Sequence, residues 1–296
     1  MTYQRTIKKE VYCRDIGLHT GRKVSMVIRP AAEGTGIVFV RRDLPERPAI
    51  KASLDYVSDT HLATTIGLNG AKVSTVEHLL SAFSGVGIDN AIVELDAFEV
   101  PIMDGSAQPF VDMLKEAGME IQPQKRKILS IEKPVAIIGE NGSYARFEPS
   151  DKFMITYSID FPHPAIGIQK FHLEFSNSNY EKEIARARTF GFLKDLEYFQ
   201  AIGLALGGSL KNAIVLDDKK IVNKEGLRCQ NEFVKHKILD AIGDLSLLGY
   251  PIIGHFIAHK SGHKLNNLLL KELLKRKDCW EIKDIEISPH HNRIPA

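Results

Sequence analysis

A weak internal repeat constrains the fold of this chain more than any other feature. Thr6-Ile7-Lys8-Lys9-Glu10-Val11 resembles Ser130-Ile131-Glu132-Lys133-Pro134-Val135, and each is followed by a Gly-containing turn and a strand-like run ending near a proline, Pro30 and Pro149. Further on, Val76-Glu77-His78-Leu79-Leu80 resembles Val234-Lys235-His236-Lys237-Ile238. The matches are short, yet their order is the same in both halves, which points to two related units. Strand signals alternate with single helices, so the expected class is α+β, in two similar domains, rather than a regular βαβ series. A length of 296 residues suits two domains. The polar, proline-containing stretch 121–127 follows a helical pattern over Gln108–Ala117 and reads as a linker, giving domains at 1–122 and 128–296. Matched points lie further apart in the second half, so that half carries an insertion, placed at about 189–215.

Each half presents a histidine on a helical pattern. From near Ser74, the residues Val76, Leu79, Leu80 and Phe83 form one apolar stripe, closed by Gly85 and Gly87. Glu77, His78 and Ser81 point away from it. Ser74-x-x-Glu77 has the form of a capping box, and His78 taken alone reads sooner as a solvated or hydrogen-bonded histidine than as a ligand. The second helix is expected over 231–248, with Val234, Ile238, Ala241, Ile242, Leu245 and Leu248 buried. His236 and Asp240 sit one turn apart on its other face, and Asp244 continues the row. Such a row is either an exposed His–Asp pair or a compact offer of one nitrogen and one oxygen to a metal.

The combination decides between these readings. Two histidines and a carboxylate suit Zn²⁺, and three protein ligands leave a fourth position for water, as in catalytic zinc sites. Zinc lowers the pKa of such a water to about 7, and Glu77, next to His78, is placed to take its proton. The zincin pattern HExxH is absent. His263, on a Gly-containing loop after the strand-like run 254–259, and His19, in a glycine-flanked turn at 17–21, are further polar candidates. Both positions also occur as plain loop histidines.

Charge and cysteine usage narrow the setting. A formal net charge of +2 without a long one-sign field gives no footprint for a nucleic-acid partner. The basic run 271–277 lies on a leucine-rich amphipathic stretch and reads as a solvated helix face. Cys13, Cys229 and Cys279 are odd in number and far apart, as in a reducing compartment. The opening MTYQRTIKKEVY lacks a signal-peptide core and no apolar run is long enough to cross a bilayer, so a cytoplasmic location is expected.

With these residues assembled, the chain resembles the UDP-3-O-acyl-N-acetylglucosamine deacetylases, zinc enzymes of the committed step of lipid A biosynthesis. The resemblance spans essentially the whole length. It rests on GLHTG at 17–21, TVEHLLSA at 75–82, PIMDGSA at 101–107, IDFPHPAI at 159–166, ARTFGF at 187–192, LGGSLKNAIVLDD at 206–218, HKILDAIGDL at 236–245 and GHFIAHKSGHKLNN at 254–267. It implies two similar domains, each a layer of helices packed on β-sheet, with the active site between them. It implies one zinc on His78, His236 and Asp240, with iron(II) an alternative ion in the cell, and Glu77 as general base. His263 would be the general acid or a cationic stabiliser, oriented by Asp244, and Thr189 would bond the oxyanion. Lys237 would meet the diphosphate or sugar, with Phe190 nearby and His19 close to the sugar; Asp160 and Phe161 would contact uridine. The insertion would form an apolar passage for the 3-O-acyl chain, with Phe192, Ile202, Leu204, Leu210 and Ile214 as side chains suited to it, or as a small satellite core. A monomer acting on a UDP-linked glycolipid precursor is expected, and His61 is a candidate extra ligand for excess metal.

Two other functions share this pattern. A zinc hydrolase for another amide would act on short acetylated sugars without the fatty chain. A binding protein on the same two domains would not retain stoichiometric zinc after dialysis.

Overall fold

The structure, a computed structural model, describes residues 2–284. Along the first half run β1 (Tyr3–Ile7), β2 (Val11–Ile16), β3 (Lys23–Pro30), β4 (Ile37–Arg41), β5 (Ala49–Lys51), β6 (Val57–Asp59), β7 (Thr65–Leu68), β8 (Ala71–Val73), α1 (Glu77–Val86), β9 (Ala91–Leu95), α2 (Gln108–Ala117) and β10 (Met119–Lys125). The second half holds β11 (Lys127–Ile131), β12 (Val135–Ile138), β13 (Tyr144–Glu148), β14 (Phe153–Phe161), β15 (Gly167–Glu174), α3 (Asn177–Asn179), β16 (Phe190–Phe192) and α4 (Leu193–Ala201). It closes with β17 (Ile214–Leu216), α5 (Glu232–Leu245), β18 (Ile252–His259), α6 (His263–Lys275) and β19 (Trp280–Asp284). The class is α+β, as the strand and helix signals predict.

Five strands of the first half form a sheet in the order β2-β3-β9-β4-β5. The second half builds a larger sheet around β18, which pairs in parallel with β11 and β14 and antiparallel with β13. The burial of β18 alternates strictly, with Ile252, Gly254, Phe256 and Ala258 inward, so one face of that sheet meets the helices. α1 packs on α2 and α5, and α5 on α6, β14 and β15. One apolar cluster runs through both sheets and these helices. α6 buries Leu265, Leu269, Leu270 and Leu273 and leaves Lys271 exposed, the solvated basic face its pattern predicts.

Three local expectations are corrected. The stretch 121–127 is not an irregular linker: β10 runs through Lys125 and pairs antiparallel with β1, leaving Arg126 between β10 and β11. Only Gln122 of β10 is buried, so the strand lacks the apolar alternation that would reveal it. Ser74 caps no helix. Its hydroxyl bonds that of Thr65 at 2.8 Å, and α1 starts at Glu77 behind Val76 with no side-chain cap. Lastly, Ile214 is fully buried in the core rather than available to a passage.

α1 is buried nearly all round, including Glu77, His78 and Ser81. Those polar residues avoid the apolar stripe, as their spacing predicts, but the face they occupy is covered by the second half of the chain. Contact between α1 and α5 is backbone-close at one point. A Cβ on Gly243 would lie 2.8 Å from Glu77 Cα and 2.7 Å from its carbonyl carbon, so glycine lets the two helices touch there.

Candidate active site

Thr75 turns the chain into α1. It is a buried, β-branched residue at φ 57, conformationally costly, and is held by a hydroxyl bond to Glu99 Oε1 at 3.1 Å. The same fully buried carboxylate accepts the backbone N–H groups of His19 (2.8 Å) and Thr20 (2.9 Å). Glu99 therefore fastens the 17–21 turn to the start of α1.

Against this stands the α5 row. His78 Nε2 lies 3.4 Å and His236 Nε2 3.3 Å from Asp240 Oδ1. One ligand atom from each of the three residues falls within 4.8 Å of the others, and all three residues are buried. Around an ion with bonds of about 2.0–2.1 Å, a tetrahedron has edges of about 3.3–3.4 Å, so these two separations are of the size metal coordination requires. His236 Nδ1 faces the Ala187 carbonyl at 3.1 Å, which places the proton on Nδ1 and turns the Nε2 lone pair toward Asp240. Burial holds this imidazole neutral, down to about 3, although Asp240 acts the other way. Burial opposes the charge on Asp240, but His236 and Lys237, whose Nζ reaches Oδ2 at 2.7 Å, keep it well below the usual carboxylate range. The residues fit a divalent metal.

Across the cluster lies a second set. Glu77 Oε2 accepts the Thr64 backbone N–H at 3.0 Å, and Oε1 is 3.8 Å from His263 Nε2. Burial raises the Glu77 carboxyl above its ordinary value against the pull of His263 and His78. His263 Nδ1 is 2.9 Å from Asp244 Oδ2. Desolvation works against the imidazolium, yet Asp244 and Glu77 outweigh it and lift its pKa to about 9. Asp244 is further fixed by the Thr64 hydroxyl (2.6 Å) and Asn266 Nδ2 (2.9 Å). Three buried carboxylates, Glu77, Asp240 and Asp244, thus face one ammonium, Lys237, and one imidazolium, His263. The excess negative charge favours a bound cation.

A cavity of about 880 Å³ opens over these groups. His19, Glu77, His78, Phe161, Thr189, Phe190, His236, Lys237, Asp240 and His263 all line it. Asp244 sits behind His263. Asp160 holds a lining residue, Lys260, at 2.6 Å. Phe190 meets the His236 ring edge-on, and Phe161 packs on Phe190 and Phe192. Phe192, Ile202 and Leu204 are outside the lining, and Ile202 is half exposed beyond α4, a helix with no buried residue. The insertion docks through Leu206 and Gly207, whose N–H groups bond the His19 and Leu18 carbonyls at 3.0 Å each. His61 is exposed and does not join the ligand cluster.

The sequence reading missed Thr64, Thr75, Glu99, Lys260 and Asn266. Thr75 carried a signal as part of TVEHLLSA at 75–82, and Lys260 and Asn266 as polar residues inside the motif that supplies His263. Thr64 meets Asp244 across 180 positions, which no local spacing reveals.

The sequence model of the UDP-3-O-acyl N-acetylglycosamine deacetylase family matches residues 4–275. The chain is 60% identical over 280 residues to the UDP-3-O-acyl-N-acetylglucosamine deacetylase of Syntrophus aciditrophicus (strain SB), covering 95% of this chain and 89% of that protein. It is 51% identical over 302 residues to the protein of the same name from Chromohalobacter salexigens, covering 100% and 99%. With that of Thioalkalivibrio sulfidiphilus it shares 53% identity over 283 residues, covering 95% and 93%.

Proposed function

The chain belongs to the UDP-3-O-acyl N-acetylglycosamine deacetylase family, and on that premise we infer that it is an enzyme of lipid A biosynthesis. It removes the N-acetyl group from a UDP-3-O-acyl-N-acetylglucosamine, leaving the amine and acetate. The single observation that carries the mechanism is the buried His78–His236–Asp240 cluster facing Glu77 and His263 in one cavity. These three residues would hold the metal of this metalloenzyme family, and we assign zinc, because two nitrogens and one oxygen suit it and leave a position open. Zinc bound there supplies a Lewis acid that acidifies a water and polarises the amide carbonyl; iron(II) fits the same donors.

Glu77 is the general base. Its carboxylate, held by the Thr64 N–H, accepts the proton of the attacking water as that oxygen bonds to the acetyl carbon. The Thr189 hydroxyl, on the cavity wall, donates to the developing oxyanion. His263 enters protonated and gives its Nε2 proton to the nitrogen as the C–N bond breaks, with Asp244 steadying the ring through Nδ1. Lys237 and His19 meet the diphosphate and sugar, and Asp160 and Phe161 the uridine, with Phe190 beside them. The acyl chain follows apolar side chains of the insertion, Phe192, Ile202, Leu204 and Leu210. Exposed Ile202, Leu206 and Leu210 on a segment without its own core support this role.

We further read 1–122 and 128–296 as two domains, the site lying between α1 of one and α5 of the other. The separate sheets of the two halves support this reading. Among the described residues no helix is long and apolar enough to cross a membrane, and the cysteines are unpaired; we place the enzyme in the cytoplasm as a monomer. The test is acetate release from a UDP-linked 3-O-hydroxyacyl-N-acetylglucosamine, with chelator and zinc add-back. Release that stops on chelation and returns at up to one equivalent of zinc is expected. Folded, zinc-loaded protein that releases none across several acyl lengths would refute the reading.

A further inference from the structure

The ligand row on α5 has a fourth member one turn before His236. Glu232, His236, Asp240 and Asp244 recur every four residues, so their side chains lie along one face. Glu232 is wholly buried and does not line the cavity over the cluster. Its Oε1 accepts the Arg188 backbone N–H (3.1 Å) and Nε (2.9 Å), while Oε2 accepts Arg188 Nη2 (3.2 Å) and the Arg228 backbone N–H (2.6 Å). The rest of the guanidinium is taken up by the Gly226 carbonyl (2.7 Å) and Glu225 Oε1 (3.1 Å). A fork gripped on both backbone and side chain leaves residue 188 no freedom to shift or rotate.

The neighbours of Arg188 give this grip its meaning. The Ala187 carbonyl, one residue before, receives His236 Nδ1. Thr189, one residue after, lines the cavity, and its backbone bonds the Gly105 carbonyl and the Ile214 N–H at 2.8 Å each. We propose that Glu232 is a positioning residue: through Arg188 it fixes the 187–189 segment, so that one carbonyl sets the tautomer and tilt of His236 while the next residue but one is held at the reacting carbonyl. Both ends of the device stand on α5, so the ligand and the strap that orients it move as one body. The proposal rests on the metal and Thr189 assignments made above, but its first readouts need no substrate.

Glu232→Gln, made in the full-length protein, tests it. In the ¹⁵N-labelled, metal-free protein, the wild type is expected to show a protected His236 Nδ1–H. The variant should lose that protection and bind zinc 10- to 100-fold more weakly, as when other partners of metal-bound histidines are removed. In the reloaded variant kcat should fall with little change in KM. Arg188→Lys, which keeps the charge and loses the fork, should reproduce the effect if Glu232→Gln does not fold. A folded variant with the native His236 signal and native zinc affinity would overturn the proposal. So would failure of both variants to fold, which would make the pair structural only. Wild-type protein that binds zinc and shows the His236 signal but releases no acetate would refute the deacetylase reading and leave this device standing.

Discussion

Replacing Gly243 by alanine should damage the metal site from a position that touches no ligand. The added Cβ would stand 2.7 Å from the Glu77 carbonyl carbon, whereas carbon atoms rest at about 3.5–4.0 Å. Because the obstacle is helix backbone, relief requires α1 and α5 to part by at least about 0.8 Å. His78 travels with α1, while His236 and Asp240 stay together on α5. The His78 Nε2–Asp240 Oδ1 separation, 3.4 Å, would then open to about 4.2 Å, beyond the edge of a tetrahedral site with bonds of about 2.0–2.1 Å. Over-packing of this kind costs about 1–3 kcal/mol, offset by at most ~1 kcal/mol from the better helix propensity of alanine. Zinc affinity, measured by competition with a chromogenic chelator, should fall by about 10- to 100-fold. The melting temperature of the metal-free protein should drop, and kcat/KM should fall by about 10²-fold in the reloaded enzyme. Native zinc affinity together with a native or raised melting temperature would refute the reasoning, because it would mean that the helices are not held at backbone contact.

Other consequences can be checked with standard assays. In the metal-free protein His263 should titrate at about 9 by NMR, above the ordinary imidazole value, because Asp244 and Glu77 stabilise its charge against desolvation. In the loaded enzyme a divalent cation pulls this value down, so activity should be lost as pH rises through a limb below about 9, and His263→Gln should abolish that limb. Activity should also fall as pH drops through the raised Glu77 value, where the base becomes protonated. Glu77→Gln should keep stoichiometric zinc and lose about 10²–10⁴-fold in kcat; near-normal turnover at neutral pH would remove Glu77 as base. Ile202→Asp with Leu210→Asp should raise KM for long-acyl substrates and leave short-acyl ones unchanged, since each buried CH₂ contributes about 0.8 kcal/mol. An equal change for both lengths would mean the segment does not carry the acyl chain.

Short-range order was written plainly in the residues. The stripe of Val76, Leu79, Leu80 and Phe83, the four-residue spacing of His236, Asp240 and Asp244, and the strand-like run over 254–259 all became the elements they predict, because each follows from backbone geometry alone. The His78–His236–Asp240 cluster was also legible as a candidate, since two histidines and an aspartate on helical faces already have the chemistry of a metal site. Where local rules were ambiguous they misled: Ser74-x-x-Glu77 looks like a cap, yet Ser74 bonds Thr65 and Glu77 bonds Thr64. β10 looks like a linker because only one of its side chains is buried.

What the sequence could not decide is which polar faces meet. Glu77, His78 and Ser81 had only to avoid an apolar stripe, and exposure to water would have satisfied that condition. They are buried because α5 lies against them, at a distance set by the missing side chain of Gly243. In that setting Glu77 rises, Asp240 falls and His263 rises. The Thr64–Asp244 bond and the Arg188–Glu232 fork likewise join residues 180 and 44 positions apart. Periodicity reports which side of an element a residue occupies; only packing of the two halves determines what that side faces, and desolvation and charge proximity, the two forces that tune this site, act only after that contact has formed.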